Sequence, residues 1–404
     1  MHNYHYPTNI KERPRYLSNI VPFIGKNLIK VLTGQRRVGK SYLLFQLMQY
    51  IRRQDGKANL IYINKEDLQF DSIRNASDLH AYVLSKSVKT ERNCIFIDEI
   101  QDIVEFERAL RSLLLQENND IFITGSNAKM LSGELATYLS GRYIEFPIYS
   151  LSYPEFLAFH HLNNSEESLM HYFLYGGLPY LIHLQLNNQC FEYLKSIYAT
   201  IILRDVVSRY HVRNTVFLEK LVAFLADNIG HLFSAKKISD FLKSQQMNLS
   251  PNQIQIYADY LANAFLIHKV SRYDIKGRRL FETGDKYYFE NMGIRNTIAG
   301  YKPNDLGIIL ENVVFNHLLY TGWQVNVGTL HHHEIDFVCQ KNGERQYIQV
   351  ALRLDEEQTI SREFGNLLKI SDAYPKMVIS NQPFYGNSYE GIKHVYIRDF
   401  LMSE

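Results

Sequence analysis

The chain has little of what would make it a secreted, membrane-bound or nucleic-acid-coating protein. Its 404 residues include only three cysteines. Cys94, Cys190 and Cys339 are far apart and two lie inside apolar runs, which leaves no disulfide framework or thiolate zinc cluster and favours a reducing compartment. Charge of one sign is also missing: 44 Lys and Arg stand against 42 Asp and Glu, a formal net charge of +2. That balance excludes a strongly basic coat and an acidic tail, while local patches remain compatible with it. No run of eighteen apolar residues occurs, and the amino terminus is polar with no apolar signal core. The expectation is a cytoplasmic protein with no membrane partner. What is present is core material, 46% hydrophobic residues, enough for about two to four domains of ordinary size.

Residues 34–41 read Gly-Gln-Arg-Arg-Val-Gly-Lys-Ser and follow the apolar run Leu28-Ile29-Lys30-Val31-Leu32. They fit G-x-x-x-x-G-K-[ST] at every fixed position. Gly34 and Gly39 let the backbone curl round a phosphate chain with successive N–H groups pointing inward. Lys40 then reaches the β- and γ-phosphates, and the Ser41 hydroxyl ligates Mg²⁺. Gln35, Arg36, Arg37 and Val38 complete the cradle. Tyr42 adjoins it at the start of a helix on which Leu43, Leu44, Leu47 and Ile51 recur. ATP and Mg²⁺ are the expected cofactors.

A second motif supports the first. Cys94-Ile-Phe-Ile-Asp-Glu-Ile-Gln101 is an apolar strand ending in two carboxylates, as a buried parallel strand delivers to its carboxyl edge. Asp98 is placed to hold Mg²⁺ through water and Glu99 to polarise the attacking water. The next strand, Ile121 to Thr124, ends in Gly125-Ser126-Asn127, small polar residues level with Asp98. A short helical stretch, Ser140-Gly141-Arg142-Tyr143 and a last strand, Ile144 to Phe146, follow. With strand Leu60 to Ile63 and a helix around Glu105 to Leu115, residues 1–150 read as a parallel sheet with helices on both faces.

These motifs, together with Leu151-Ser-Tyr-Pro-Glu-Phe-Leu157, resemble the AAA+ superfamily ATPases of bacteria and archaea, in the branch whose carboxyl half is a domain of unknown function. The resemblance implies that Ser126 or Asn127 senses the γ-phosphate. It makes Arg142 a candidate arginine finger acting in a homo-oligomer, and residues 151–230 a helical lid. A breaker, Gly176-Gly177-Leu178-Pro179, divides that stretch, and Arg204 and Arg209 are the nearest candidates for a lid arginine.

Residues 231–303 read as a winged helix. Ser234 and Ser250-Pro251 begin two helices, and strands Phe265 to Tyr273 and Leu280 to Phe289 follow. The tip between them, with Lys276, Arg278 and Arg279, is a candidate contact to a DNA backbone. The candidate recognition helix carries Asn252, Gln253, Gln255 and Asp259 rather than arginines, so DNA and protein both stay open as its partner. Residues 304–404 are similar to the PD-(D/E)XK nuclease fold, with Glu311 on a helix, Asp336 on a strand and Gln349 on the next. That resemblance implies a Mg²⁺ site completed by a lysine. Ala351 stands at the lysine position, and Arg353 is the nearest cation on the same strand face. The expectation is a nuclease-like domain without cutting activity. Adjacent His331, His332 and His333 in an extended segment point opposite ways and read as a solvated loop.

The expected architecture is α/β: a P-loop parallel sheet with helices on both faces, then a helical lid, a winged helix and a small α/β nuclease-like domain. The expected activity is Mg²⁺-dependent ATP hydrolysis by a switch or remodeller acting on DNA or protein. The alternatives are an ATP-gated DNA endonuclease and a nucleotide-regulated protein-binding module.

Overall fold

The computed structural model describes residues 10–128, 139, 141–244, 248–280, 284–382 and 387–403. The chain divides into two compact units, residues 1–149 with 263–265, and residues 150–262 with 266–404.

In the first unit, β1 (Ile29–Thr33), β2 (Asn59–Asn64), β3 (Asn93–Asp98), β4 (Asn119–Gly125) and β5 (Tyr143–Pro147) form one sheet in the order β2-β3-β4-β1-β5. All four pairings are parallel. Helices Lys40–Gln54, Ala76–Lys86 and Phe106–Leu113 supply the crossovers. Ile95, Phe96, Ile97, Ile121, Phe122 and Ile123 are fully buried, as strands covered on both faces must be. Because β1 sits between β4 and β5, the loops after β1, β3 and β4 open together at the carboxyl edge, where the strand order reverses. The register pairs Leu32 with Thr124 and Ile97 with Ile123, which brings Asp98 level with Thr124 beside the loop after β1. The apolar run before the phosphate loop and the four strands read after it are all present as β1 to β5; the helical stretch expected before Ser140, apart from Leu139, and Ser140 itself lie outside the described residues.

The second unit opens with helices Tyr153–His160, Glu166–Tyr175 and Asn188–Thr200, the last continuing as a π-helical segment, Ile201–Ser208, before helix Thr215–Asp227. Ser152 and Glu155 form a capping box at the first of these. The breaker at Gly176 is a close approach: its φ is +68°, and a Cβ there would lie 2.6 Å from Asn291 Oδ1. Helices Ala235–Ser244 and Pro251–Asn263 come next. Then β6 (Ile267–Val270) pairs antiparallel with β9 (Lys286–Phe289).

The expected hairpin forms, but it is interrupted and shared between two sheets. The strand read over 265–273 breaks at Ser271, and Phe265 turns with φ 54°. β7 (Arg272–Asp274) and β8 (Arg279–Leu280) leave β6 and join the carboxyl-terminal sheet through parallel pairing of β7 with β10 (Gln324–Leu330). Residues 281–283 lie outside the described residues. The remaining strands of that sheet are β11 (His333–Lys341), β12 (Glu344–Ala351), β13 (Lys376–Ser380), β14 (Ser388–Tyr389) and β15 (Ile392–Tyr396). Its order is β14-β15-β13-β12-β11-β10-β7-β8. β10, β11 and β12 are an antiparallel meander, and helix Glu357–Leu368 carries the chain from β12 to its parallel neighbour β13. Helix Leu306–Tyr320 precedes the meander, and Phe337, Ile348 and Val378 are fully buried.

Candidate functional site

The loop after β1 is shaped by its glycines. Gly34 has φ +148°, and a Cβ there would sit 2.1 Å from the Ile148 carbonyl oxygen. Gly39, at φ 101°, is the N-cap of helix Lys40–Gln54, and Arg37 is also left-handed at φ 71°. The helix start therefore faces the loop, with its N–H groups and positive dipole end placed for an anion. Lys40 is buried, its Nζ donating to the Gly34 and Gln35 carbonyls at 2.8 and 2.9 Å. These backbone acceptors are the ones it would exchange for phosphate oxygens. Gln35 is buried and donates to the Phe265 carbonyl at 2.9 Å, Val38 is buried, and Tyr42 is exposed.

Asp98 and Glu99 stand at the end of β3 within a chain of hydroxyls. Thr124 Oγ1 donates to Asp98 Oδ1 and accepts the Glu99 backbone N–H at 3.0 Å. Ser41 hydrogen-bonds Asp98, and Tyr62 donates to its second oxygen at 3.3 Å. Burial holds the Asp98 carboxyl above its ordinary range against those hydrogen bonds. A buried carboxylate of this kind gains from a cation. Ser41 and Asp98 thus fit Mg²⁺, an ion that keeps most of its waters and takes one or two protein oxygens.

Glu99 takes a left-handed backbone, φ 57° and ψ 51°, which aims its side chain across the strand end. Ser126 Oγ donates to Glu99 Oε2 at 3.2 Å, and Gln101 donates to the same oxygen. Burial opposes its charge, but Lys40 and Arg36, with those hydrogen bonds, outweigh burial and hold it below the usual carboxylate range. Glu99 is therefore ionised at neutral pH, as a water-polarising base requires.

Lys40, Ser41, Asp98, Glu99 and Ser126 are brought together. Asn127 is buried one residue on. Arg142 is exposed immediately before β5, and β5 pairs with β1 from Ile29↔Tyr143 to Thr33↔Pro147. It stands at the amino edge of the sheet, level with Leu28 and so roughly 20 Å along the strand from Gly34 at ~3.3 Å per residue. Arg209 pairs with Asp205 at 3.8 Å, and Arg204 is exposed.

Sequence reading missed several participants. Thr124 links the two carboxylates. Gln101 holds Glu99. Arg36, assigned to the cradle from the sequence, also pairs with Glu66 at 3.0 Å and stands 4.0 Å from Glu99. Arg13, 2% exposed, ties the loop by donating to the Val38 carbonyl at 3.0 Å. Only Thr124 had a local signal, a hydroxyl at the end of the strand beside Asp98.

In the second unit, Glu311, Asp336 and Gln349 do meet, around a cavity of ≈ 1150 Å³. Gln349 Oε1 accepts the Asp336 N–H at 3.4 Å, and Asp336 Oδ2 accepts the Val350 N–H at 2.7 Å. Burial, then the Glu311 charge, keeps the Asp336 carboxyl well above its ordinary pKa. Arg353, expected as the nearest cation, is exposed beyond the end of β12. The cation at the site is Lys286 of β9, 3.4 Å from Glu311 and 2.6 Å from Glu334. His331 and His332 are exposed, and His333 begins β11. Among the described residues no group of three or more His, Cys, Asp or Glu is arranged to hold a metal ion. Lys276, Arg278 and Arg279 are exposed at the β7–β8 turn, and Arg279 stands 3.8 Å from Asp274. Cys94, Cys190 and Cys339 are buried free thiols. No helix among the described residues is long and apolar enough to cross a membrane.

Residues 26–157 match the model of an AAA domain, and residues 166–305 that of a domain of unknown function, DUF8612. An uncharacterized protein of Haemophilus influenzae is 37% identical over 399 residues, 96% of this chain and 98% of that protein. Uncharacterized protein MJ1544 of Methanocaldococcus jannaschii is 31% identical over 345 residues, 82% of this chain and 76% of its own. Among solved structures, the Aeropyrum pernix ORC1 protein in complex with DNA matches at a TM-score of 0.33 and 10% identity, over 72% of this chain and 93% of that one.

Proposed function

This chain belongs to the family of the Haemophilus influenzae protein, and on that premise we propose that it binds and hydrolyses ATP with Mg²⁺ and uses the cycle as a cytoplasmic switch or remodeller. The observation that carries the reading is the hydrogen-bonded chain Ser41, Asp98, Thr124, Glu99, Ser126 at the N-terminal end of helix Lys40–Gln54. Bound Mg²⁺ supplies charge neutralisation on the β- and γ-phosphates; Ser41 and Asp98 would hold it. The loop N–H groups and Lys40 bind the phosphates. Glu99, kept ionised, accepts a proton from the attacking water, and Ser126 with Asn127 reports the γ-phosphate to Glu99.

Arg142 acts in trans. Its place at the amino edge of the sheet keeps it from its own phosphates, so a homo-oligomer would present it to a neighbour. Residues 151–230 act as the lid and 231–303 as a winged helix, and residues 304–404 form a nuclease-shaped domain that does not cut. The exposed tip of Lys276, Arg278 and Arg279 favours a polyanion such as DNA as partner, and the uncharged Asn252 and Gln253 of helix Pro251–Asn263 favour a protein. The deciding experiment is capture from lysate with Glu99→Gln in ATP, followed by assay of the bound fraction for nucleic acid and protein. Capture of neither, with ATP bound, contradicts the switch reading.

A further inference from the structure

A PD-(D/E)XK-like site needs carboxylates free to face a divalent cation and a lysine beside the attacking water. The carboxyl-terminal cavity meets neither need in that form. Ala351 fills the lysine position, and the acids are already engaged. Glu311 Oε1 accepts the Tyr288 hydroxyl at 2.6 Å as well as Lys286 Nζ. Asp336 accepts from the Val350 backbone. Lys286 arrives from β9, outside the helix and meander that carry Glu311, Asp336 and Gln349, and it is 2% exposed. Burial alone would draw its ammonium toward neutrality, but Glu311, Glu334 and Asp336 outweigh that and raise its pKa above the ordinary lysine value. It is charged throughout the physiological range.

We infer that Lys286 is a tethered cation standing in the metal position of this site, its ammonium neutralising the Glu311, Glu334 and Asp336 cluster in place of a divalent ion. The two cations are not equivalent. An ammonium balances carboxylates and donates hydrogen bonds, but it has no open coordination position and does not generate hydroxide from bound water. The cavity keeps the shape and charge balance of a nuclease-like site without its hydrolytic centre. One acceptor is left over. Glu363, 4% exposed, has Oε1 held by Arg362, while Oε2 is buried in the cavity wall with no hydrogen-bond partner among the described residues. With the ammonium removed, the carboxylates of Glu311, Asp336 and Glu363 would line one cavity with their charge uncompensated; they are not pre-arranged as a metal site, and a hard divalent cation would enter by drawing these oxygens together. The inference rests on the nuclease-shaped reading of residues 304–404 and is independent of the ATPase reading.

The test uses the full chain without nucleotide, in an Asp98→Asn background so that the phosphate-loop site does not contribute. Mn²⁺ binding is counted by electron paramagnetic resonance and located by Fe²⁺-ascorbate-peroxide cleavage of the backbone. With Lys286 intact no stoichiometric binding is expected. Lys286→Ala should gain about one Mn²⁺ per chain with cuts near residues 311 and 336, and adding Glu311→Gln should remove it. Lys286→Met, which keeps the aliphatic stem, serves if the alanine variant does not fold. The Lys286-intact protein also decides alone: Mn²⁺ bound there, with those cuts and lost in Glu311→Gln, overturns the inference. So does a folded Lys286→Ala or Lys286→Met variant that gains no ion. Plasmid incubation in Mn²⁺ separates the wider reading. Cleavage abolished by Glu311→Gln would overturn the inactive-domain proposal, whereas Mn²⁺ bound by the Lys286-intact protein without cleavage would overturn the tethered cation alone.

Discussion

Two acidic clusters among the described residues are balanced in opposite ways. At the end of β3, Asp98 is surrounded by the hydroxyls of Ser41, Thr124 and Tyr62. Its nearby lysine, Lys40, is turned to backbone carbonyls. In the carboxyl-terminal cavity, Lys286 itself sits against Glu311 and Glu334. Hydroxyls are neutral and rotate, so a metal ion and phosphates can replace them at small cost. An ammonium on a buried strand cannot leave. Whether an acidic cluster acts on a cation depends on whether its counter-charge is removable.

The largest expected effects lie at the first cluster. Glu99→Gln should keep ATP binding and lose about 10²–10⁴-fold in hydrolysis, the range for a positioned base, while Lys40→Ala should lose binding itself; ATP affinity and phosphate release on both variants separate the two. Arg142→Ala should bind ATP and lose about 10³-fold if it completes a neighbouring site. Mixing it with Lys40→Ala should then restore part of the turnover, and concentration-independent activity would end that proposal.

At the second cluster the effect is on stability. Lys286→Ala leaves buried acids uncompensated and should destabilise the second unit by about 3–5 kcal/mol, read by denaturant unfolding. Thr124→Val tests the link between the clusters' logic and activity. It removes the donor to Asp98 and should lower Mg²⁺-dependent hydrolysis by about 10–100-fold, the usual cost of an outer-shell partner. The smallest effect is a pH slope. The Asp336 carboxyl is raised in the fold, by burial first and then by Glu311, so its contribution is present below its unfolded pKa and is lost as pH rises through the folded value. Stability should fall along that limb in the wild type, and Asp336→Asn should flatten it.

The first cluster was legible because backbone geometry fixes adjacent residues. A phosphate loop needs glycine at particular φ angles, and a buried strand end needs its acids next to it in sequence. Lys286 was not legible: its partners lie 25 and 48 residues on, at Glu311 and Glu334, and only the fold joins them. Its sole local mark is a charge beside the apolar Tyr287-Tyr288-Phe289. The hairpin's antiparallel pairing was legible, but its division between two sheets was not, for a related reason. Alternation shows that 272–274 and 279–280 are strands but not which sheet edge accepts them. Arg353 shares alternation with Gln349 only if β12 continues, and the strand ends at Ala351.

Crystals grown with Mn²⁺ and ATP, measured at the manganese absorption edge, test the contrast most directly. The account predicts one anomalous peak beside Ser41 and Asp98 and none among Glu311, Asp336 and Glu363. A peak in the carboxyl-terminal cavity, or bound ATP with no ion at Asp98, would contradict it.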